Sequence, residues 1–178
     1  MKRFTKWAEH EFTMGERVIA TLLAGVIFVL LIPFLILKGS ALIDRWMQLM
    51  RFNFGLINFM VGGALALIGW LFAMWSIVDQ LIRGRGTPLP VMATQMLLIT
   101  GPFAYCRNPM SFGTIVLYSG LAIWAGSWSA IGLVTFFAVV LITYLKCVEE
   151  KELEARFGQL YLEYKRTTPF IIPSKWKK

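Results

Sequence analysis

The residues best suited to chemistry in this chain are Arg107, the segment Asn108-Pro109-Met110-Ser111 that follows it, and the pair Glu149-Glu150 further on. Asn is a good N-cap and Pro a good first helical residue, so Asn108-Pro109 starts a helix. The open N–H groups of such a start, beside a guanidinium, suit a carboxylate. Glu149 lies one helical step before Leu153 and so continues an apolar stripe, and Glu150 borders it. A carboxylate on an apolar face at a membrane boundary is costly unless a cation meets it. Lys146, Arg107 or the ammonium of a ligand would serve. Brought to one membrane face, these groups can hold a small zwitterion. The plain alternative is a cap plus a charged first helical turn, where Glu is favoured by the helix dipole. Phe103 and Tyr105 either pack on lipid or lie against an aromatic or cationic ligand.

The elements that must position these residues are apolar. The 178 residues are 57% hydrophobic with a mean hydropathy of +0.64, above the apolar share of an ordinary soluble domain. The reading is an all-α membrane protein with about four transmembrane helices, including a helical hairpin, and a cytoplasmic C-terminal amphipathic helix. The first span, Val18 to Leu37, is an uncharged run long enough to cross a hydrocarbon core. Pro33 is a kink position within it. Acidic residues before the run and the absence of a small-x-small cleavage site after it mark it as a retained helix rather than a signal peptide. Further spans run from Phe54 to Val78, Phe112 to Ala125 and Ser129 to Tyr144, the third being short.

Four spans place fifteen of the eighteen Lys and Arg on one side, leaving Lys38, Arg45 and Arg51 opposite. The positive-inside rule then makes both termini and the loop at 82–110 cytoplasmic. The net charge of +8 is mainly topological, and no soluble basic face exists for nucleic acid. Lys175, Lys177 and Lys178 suit anionic headgroups. Cys106 and Cys147 fall on the reducing side, and with His10 they make no metal set.

The whole chain, 1–178, reads as a single membrane domain. Residues 1–53 form an anchor span and an interfacial segment, with Ile43, Trp46, Met47 and Met50 at helical spacing. Residues 54–178 form the core. In the second span Gly62, Gly63, Ala64, Ala66 and Gly69 allow close helix approach. Arg83 to Pro90, with two glycines and two prolines, is a loop of defined shape. Residues 149–166, with Leu153, Phe157, Leu160, Tyr161 and Tyr164 in phase, form one amphipathic helix ended by Thr167-Thr168-Pro169.

These motifs resemble the integral-membrane methyltransferases grouped with isoprenylcysteine carboxyl methyltransferase and the phospholipid N-methyltransferases. The family pattern is Gly-x-Tyr-x-x-x-Arg-His/Asn-Pro, a hairpin, Glu-Glu, Phe-Gly and Tyr-x-x-Tyr. Here these are Gly101 to Pro109, Glu149-Glu150, Phe157-Gly158 and Tyr161/Tyr164, across residues 84–170. Gly84-Arg85-Gly86-Thr87-Pro88 looks like the bacterial branch, which implies a bacterial inner membrane. The resemblance implies S-adenosylmethionine as methyl donor and a 54–178 methyltransferase-like core. It implies that Gln95, Met96, Leu97 and Leu98 border the adenosine. Phe103 takes the place of a family tyrosine, Asn108, Pro109, Met110 and Ser111 line the methionine end, and Glu149 holds the ammonium. Arg107 favours the donor carboxylate and is a candidate catalytic residue, with Glu150 and Tyr164 as candidate bases for an amine acceptor.

Asn108 replaces a family histidine, Phe103 and Ser111 replace tyrosines, and Leu145-Lys146 stands where an acceptor-orienting arginine is expected. A prenylcysteine acceptor is therefore not carried over. A lipid-embedded or lipophilic carboxylate, amine or thiol remains open. The competing classes are a non-enzymatic scaffold or small transporter, though few ionisable residues lie in the spans, and a reductase, for which no nicotinamide fingerprint exists.

Overall fold

A computed structural model describes residues 13–84 and 95–174 of the chain. His10, most of the Arg83–Pro90 loop and the terminal lysines lie outside the described residues. Among the described residues three helices are long and apolar enough to cross a membrane, namely α1 (Met14–Trp46), α2 (Leu56–Ile82) and α4 (Trp128–Phe157). The shorter apolar α3 (Pro109–Ala125) lies between the last two, and α5 (Gln159–Thr167) follows. No strand occurs among the described residues. This is an all-α membrane protein.

The four long helices alternate in direction. Arg17 of α1 donates to Leu81 O of α2 at 3.4 Å, and Tyr118 Oη of α3 donates to Phe28 O at 2.5 Å. At the opposite end Ser127 Oγ donates to Asp44 Oδ2 at 2.7 Å. The start of α1, the end of α2, the start of α3 and the end of α4 therefore share one end of the bundle, the site end.

Of the small residues expected to let α2 pack closely, Gly62, Ala66 and Gly69 are buried, whereas Gly63 faces open space and Ala64 is exposed. A Cβ added at Gly62 would fall 2.7 Å from both Gly120 O and Trp124 N of α3, closer than real Cβ atoms come. Gly69 meets Gly113 and Leu117 in the same way, so α2 and α3 touch backbone to backbone. Ile36, Tyr118, Ala122, Ala130 and Val134 join α1, α3 and α4 in a buried cluster.

Three features differ from the sequence reading. Ser40–Trp46 continues α1 instead of forming a separate interfacial piece. The effect of Pro33 is a π turn at Val26–Leu31, with Ile32 N–H returning to Ile27 O. In that wider register Phe28 O would take the N–H that proline lacks, and Tyr118 Oη supplies the hydrogen instead. Finally, the amphipathic helix expected over 149–166 is broken at Gly158, whose φ of 53° favours glycine. The break turns Leu160 outward, 68% exposed, while Tyr161 and Tyr164 stay buried.

Candidate functional site

Arg107 precedes α3 in a short segment that begins with the 3₁₀ turn Gly101–Ala104. Its guanidinium forms an ion pair with Glu150, both side chains buried. Lys165 of α5 reaches the other Glu150 oxygen at 2.9 Å and Glu154 at 2.6 Å. Those two bonds, to Glu154 and then Glu150, raise the Lys165 pKa. The chain after α5 closes over the same segment: Arg107 N donates to Pro169 O at 2.9 Å, and Ser174 N to Tyr105 O at 3.0 Å. Asn108 flanks the start of α3 as expected, yet its side chain makes no cap. Nδ2 instead donates to Phe170 O at 2.9 Å, and the Phe170 ring lies 5.6 Å from Arg107 and 5.0 Å from Lys146. Residues 169–174 act as a strap.

Beside this pair lies a cavity of about 310 Å³. Its charged part is made by Arg107, Asn108, Glu149, Glu152 and Arg156, with Gln80 of α2. Phe103, Pro109, Met110 and Ser111 line it at the start of α3. The rest is apolar, from Trp70, Met74 and Ile77 of α2, Ala24, Gly25 and Phe28 of α1, and Leu141 and Leu145 of α4.

Glu149 is the unusual group. The membrane-crossing part of α4, Trp128–Tyr144, has ended, and the stretch from Lys146 through Arg156 holds seven charged residues, both ends included. A second π turn, Leu145–Glu149, presents Glu149 to the cavity and Glu150 to Arg107. Glu149 makes no hydrogen bond or ion pair with any described residue. Burial first, then the charges of Glu152 and Glu150, pushes its carboxyl up to about 7. Glu152 by contrast has Arg156 at 3.6 Å.

Of the residues singled out in the sequence, Phe103, Arg107, Asn108 to Ser111 and Glu149 meet at the cavity. Gln95, Met96, Leu97 and Leu98 do not line it; the N–H groups of Gln95 and Met96 reach Gly84 O at 3.0 and 3.3 Å. Glu150 faces Arg107 and Lys165. Tyr164 Oη donates to Phe103 O at 2.6 Å, and burial raises its pKa. Tyr161 beside it is pushed up to about 12, by burial and then Glu150. The buried Cys106 thiol is pushed up to about 11 by desolvation, which makes it a poor nucleophile. Glu152 and Arg156 were overlooked, although their i+3 and i+7 spacing from Glu149 puts them on its helix face. Thr21, Gly25 and Phe28 carried no local signal.

Fold and site together define an α-helical membrane protein with a charged, cavity-lining site at one end of its bundle. The sequence model of the phospholipid methyltransferase family matches residues 57–160, more than half of the chain. The chain belongs to that family and is an integral-membrane methyltransferase. The match runs from α2 into α5 and leaves α1 and the strap outside. No curated protein and no solved structure matches the chain.

Proposed function

We propose that the protein transfers a methyl group from S-adenosylmethionine to a lipophilic acceptor at the cytoplasmic face of a bacterial inner membrane. The observation that carries this reading is Glu149, a cavity-lining carboxylate beside Glu150 and Glu152 that forms no ion pair among the described residues. An ammonium group fits that vacancy in the charge balance. The donor residue set fits the rest of a zwitterion: Arg107 stands beside the start of α3, where the N–H groups of Met110 and Ser111 have no carbonyl in the preceding turn. The orientation rests on the fifteen-to-three distribution of Lys and Arg.

When bound, S-adenosylmethionine supplies a methyl group whose bond to the sulfonium sulfur breaks with its electron pair going to sulfur. The protein's work is then to orient and to exclude water. Glu149 would hold the ammonium, and Arg107 with the helix start would hold the carboxylate. Glu150, held by Lys165, fixes the Arg107 guanidinium, and Tyr164 fixes the Phe103 backbone, so Glu150, Lys165 and Tyr164 serve as positioning residues. Apolar walls keep the reacting region dry. A carboxylate acceptor needs only a cation to orient it, whereas an amine or thiol must also lose a proton.

Calorimetry of S-adenosylmethionine binding to protein in nanodiscs tests this reading. Glu149→Gln is expected to weaken binding tenfold or more, about 1.4 kcal/mol. No binding by folded wild type at millimolar donor would overturn it in favour of a non-enzymatic scaffold or transporter.

A further inference from the structure

We propose that the N-terminal half of α1 is the acceptor wall of the site, with a slender apolar chain of a lipid-like acceptor lying against Thr21–Val29 and Gly25 setting the width available to it. This inference rests on the methyltransferase reading above and names the part of the cavity that the acceptor occupies.

The cavity has two unlike parts. From the charged end it continues along α1 to Phe28 and along α4 to Leu141. At the rise of an α-helix these lie about 16 Å beyond Arg17 and about 12 Å beyond Glu149 respectively. Arg17 is level with the end of α2, so the cavity reaches to a depth where the surroundings are hydrocarbon and its walls are Ala24, Phe28, Trp70 and Leu117. An apolar chain suits that part, and a zwitterion does not.

α1 creates the space by changing its packing midway. Ile32–Trp46 packs on α4, whereas Met14–Gly25 makes few close approaches to the other helices among the described residues. The change falls at the π turn before Pro33. Gly25 sits just before that turn with ordinary helical dihedrals, φ −56° and ψ −47°. A Cβ there would meet nothing within 4 Å. Neither backbone geometry nor packing demands glycine at this position, and the open volume it leaves belongs to the cavity. One turn nearer the charged end, Thr21 Oγ1 is buried without a hydrogen-bond partner among the described residues, placed to meet the acceptor's polar head.

The test uses full-length protein in nanodiscs containing a phosphatidylethanolamine with a diazirine in one acyl chain. Ultraviolet adducts are mapped by mass spectrometry, and S-adenosylmethionine binding and methyl incorporation into a lipid extract are measured in parallel. Gly25→Phe is expected to reduce adducts on Met74 and Leu117 at least tenfold and methyl incorporation by a similar factor, with donor affinity within twofold of wild type. Gly63→Leu is the control for added bulk, since Gly63 also faces open space but not the cavity; it should change neither. Unchanged adducts on Met74 and Leu117 in Gly25→Phe would overturn the proposal, as would a loss of donor binding in that variant. Intact adducts in a wild type that binds no donor would defeat the donor assignment and support α1 as a lipid site.

Discussion

At the far end of the bundle Asp44, 5% exposed, accepts the Ser127 hydroxyl at 2.7 Å and has Arg51 at 3.8 Å. At the site end Glu149 lines a cavity near Glu150 and Glu152 and has no donor among the described residues. The surroundings differ in the same sense. Ser127 Oγ also accepts Ala130 N–H at 3.0 Å, and Asn58 donates to Phe52 O and Ile123 O while accepting Phe54 N–H. One set of polar groups ties the α1–α2 connection to the turn between α3 and α4, and α1 lies tightly on α4 there. At the other end α1 stands away and the space beside it is a cavity. A carboxylate whose partners come from its own chain is structural, since a buried acceptor left unpaired is destabilising. Glu149, which meets no cation among the described residues, is the group proposed above to receive a ligand's ammonium, at some cost to the stability of the empty protein. Glu150, next in sequence to Glu149, behaves like Asp44, because Arg107 and Lys165 saturate it.

The comparison is sharpened most by Arg107→Ala. It leaves Glu150 buried with one partner removed, and a loss of about 3–5 kcal/mol in unfolding free energy is expected, read by thermal or denaturant unfolding in detergent. Asp44→Ala should cost less, about 1–3 kcal/mol, and should leave donor binding unchanged. A loss of donor binding in Asp44→Ala with the fold intact would break the division between the two ends.

A further contrast concerns Glu149 in the donor-free protein, where Glu149→Gln is expected to raise the unfolding midpoint at pH 8. The sign follows from its raised pKa. A carboxyl that ionises near 7 in the fold and near 4.3 when unfolded favours the fold while protonated. Its contribution is therefore present at low pH and lost as pH rises from about 4 through 7. Donor affinity should run the other way, strengthening as pH rises through about 7 because the ammonium needs the ionised form. Calorimetry at pH 6 and pH 8 reads this directly, and a pH-independent affinity that Glu149→Gln leaves untouched would remove Glu149 from the site.

Much of this was legible locally. Runs of apolar residues marked the helices, Asn108-Pro109 marked the start of α3, and the phase of Glu149 with Leu153 put both on one face, where both line the cavity. The break at Gly158 was less so, because a single glycine inside an amphipathic pattern is tolerated in many helices. The π turns were hidden for a related reason, since an added residue per turn leaves no mark in a hydropathy pattern. Arg107 was already a candidate cation for the Glu149-Glu150 pair, but that it meets Glu150 rather than Glu149, and that Lys165 joins it, was not legible.

Composition, apolar run length and charge distribution by themselves determined that the chain is a helical membrane protein with its charged groups gathered toward one end, because those properties follow from burial and hydration of individual residues. Tertiary structure alone decided which carboxylate would be neutralised and which left open, that residues 169–174 fold back over Arg107, and that α1 supplies a wall of the cavity. Each of these depends on contacts between residues far apart in sequence, set by how tightly α2 and α3 close on their glycines and by where the π turn carries α1 away from the bundle.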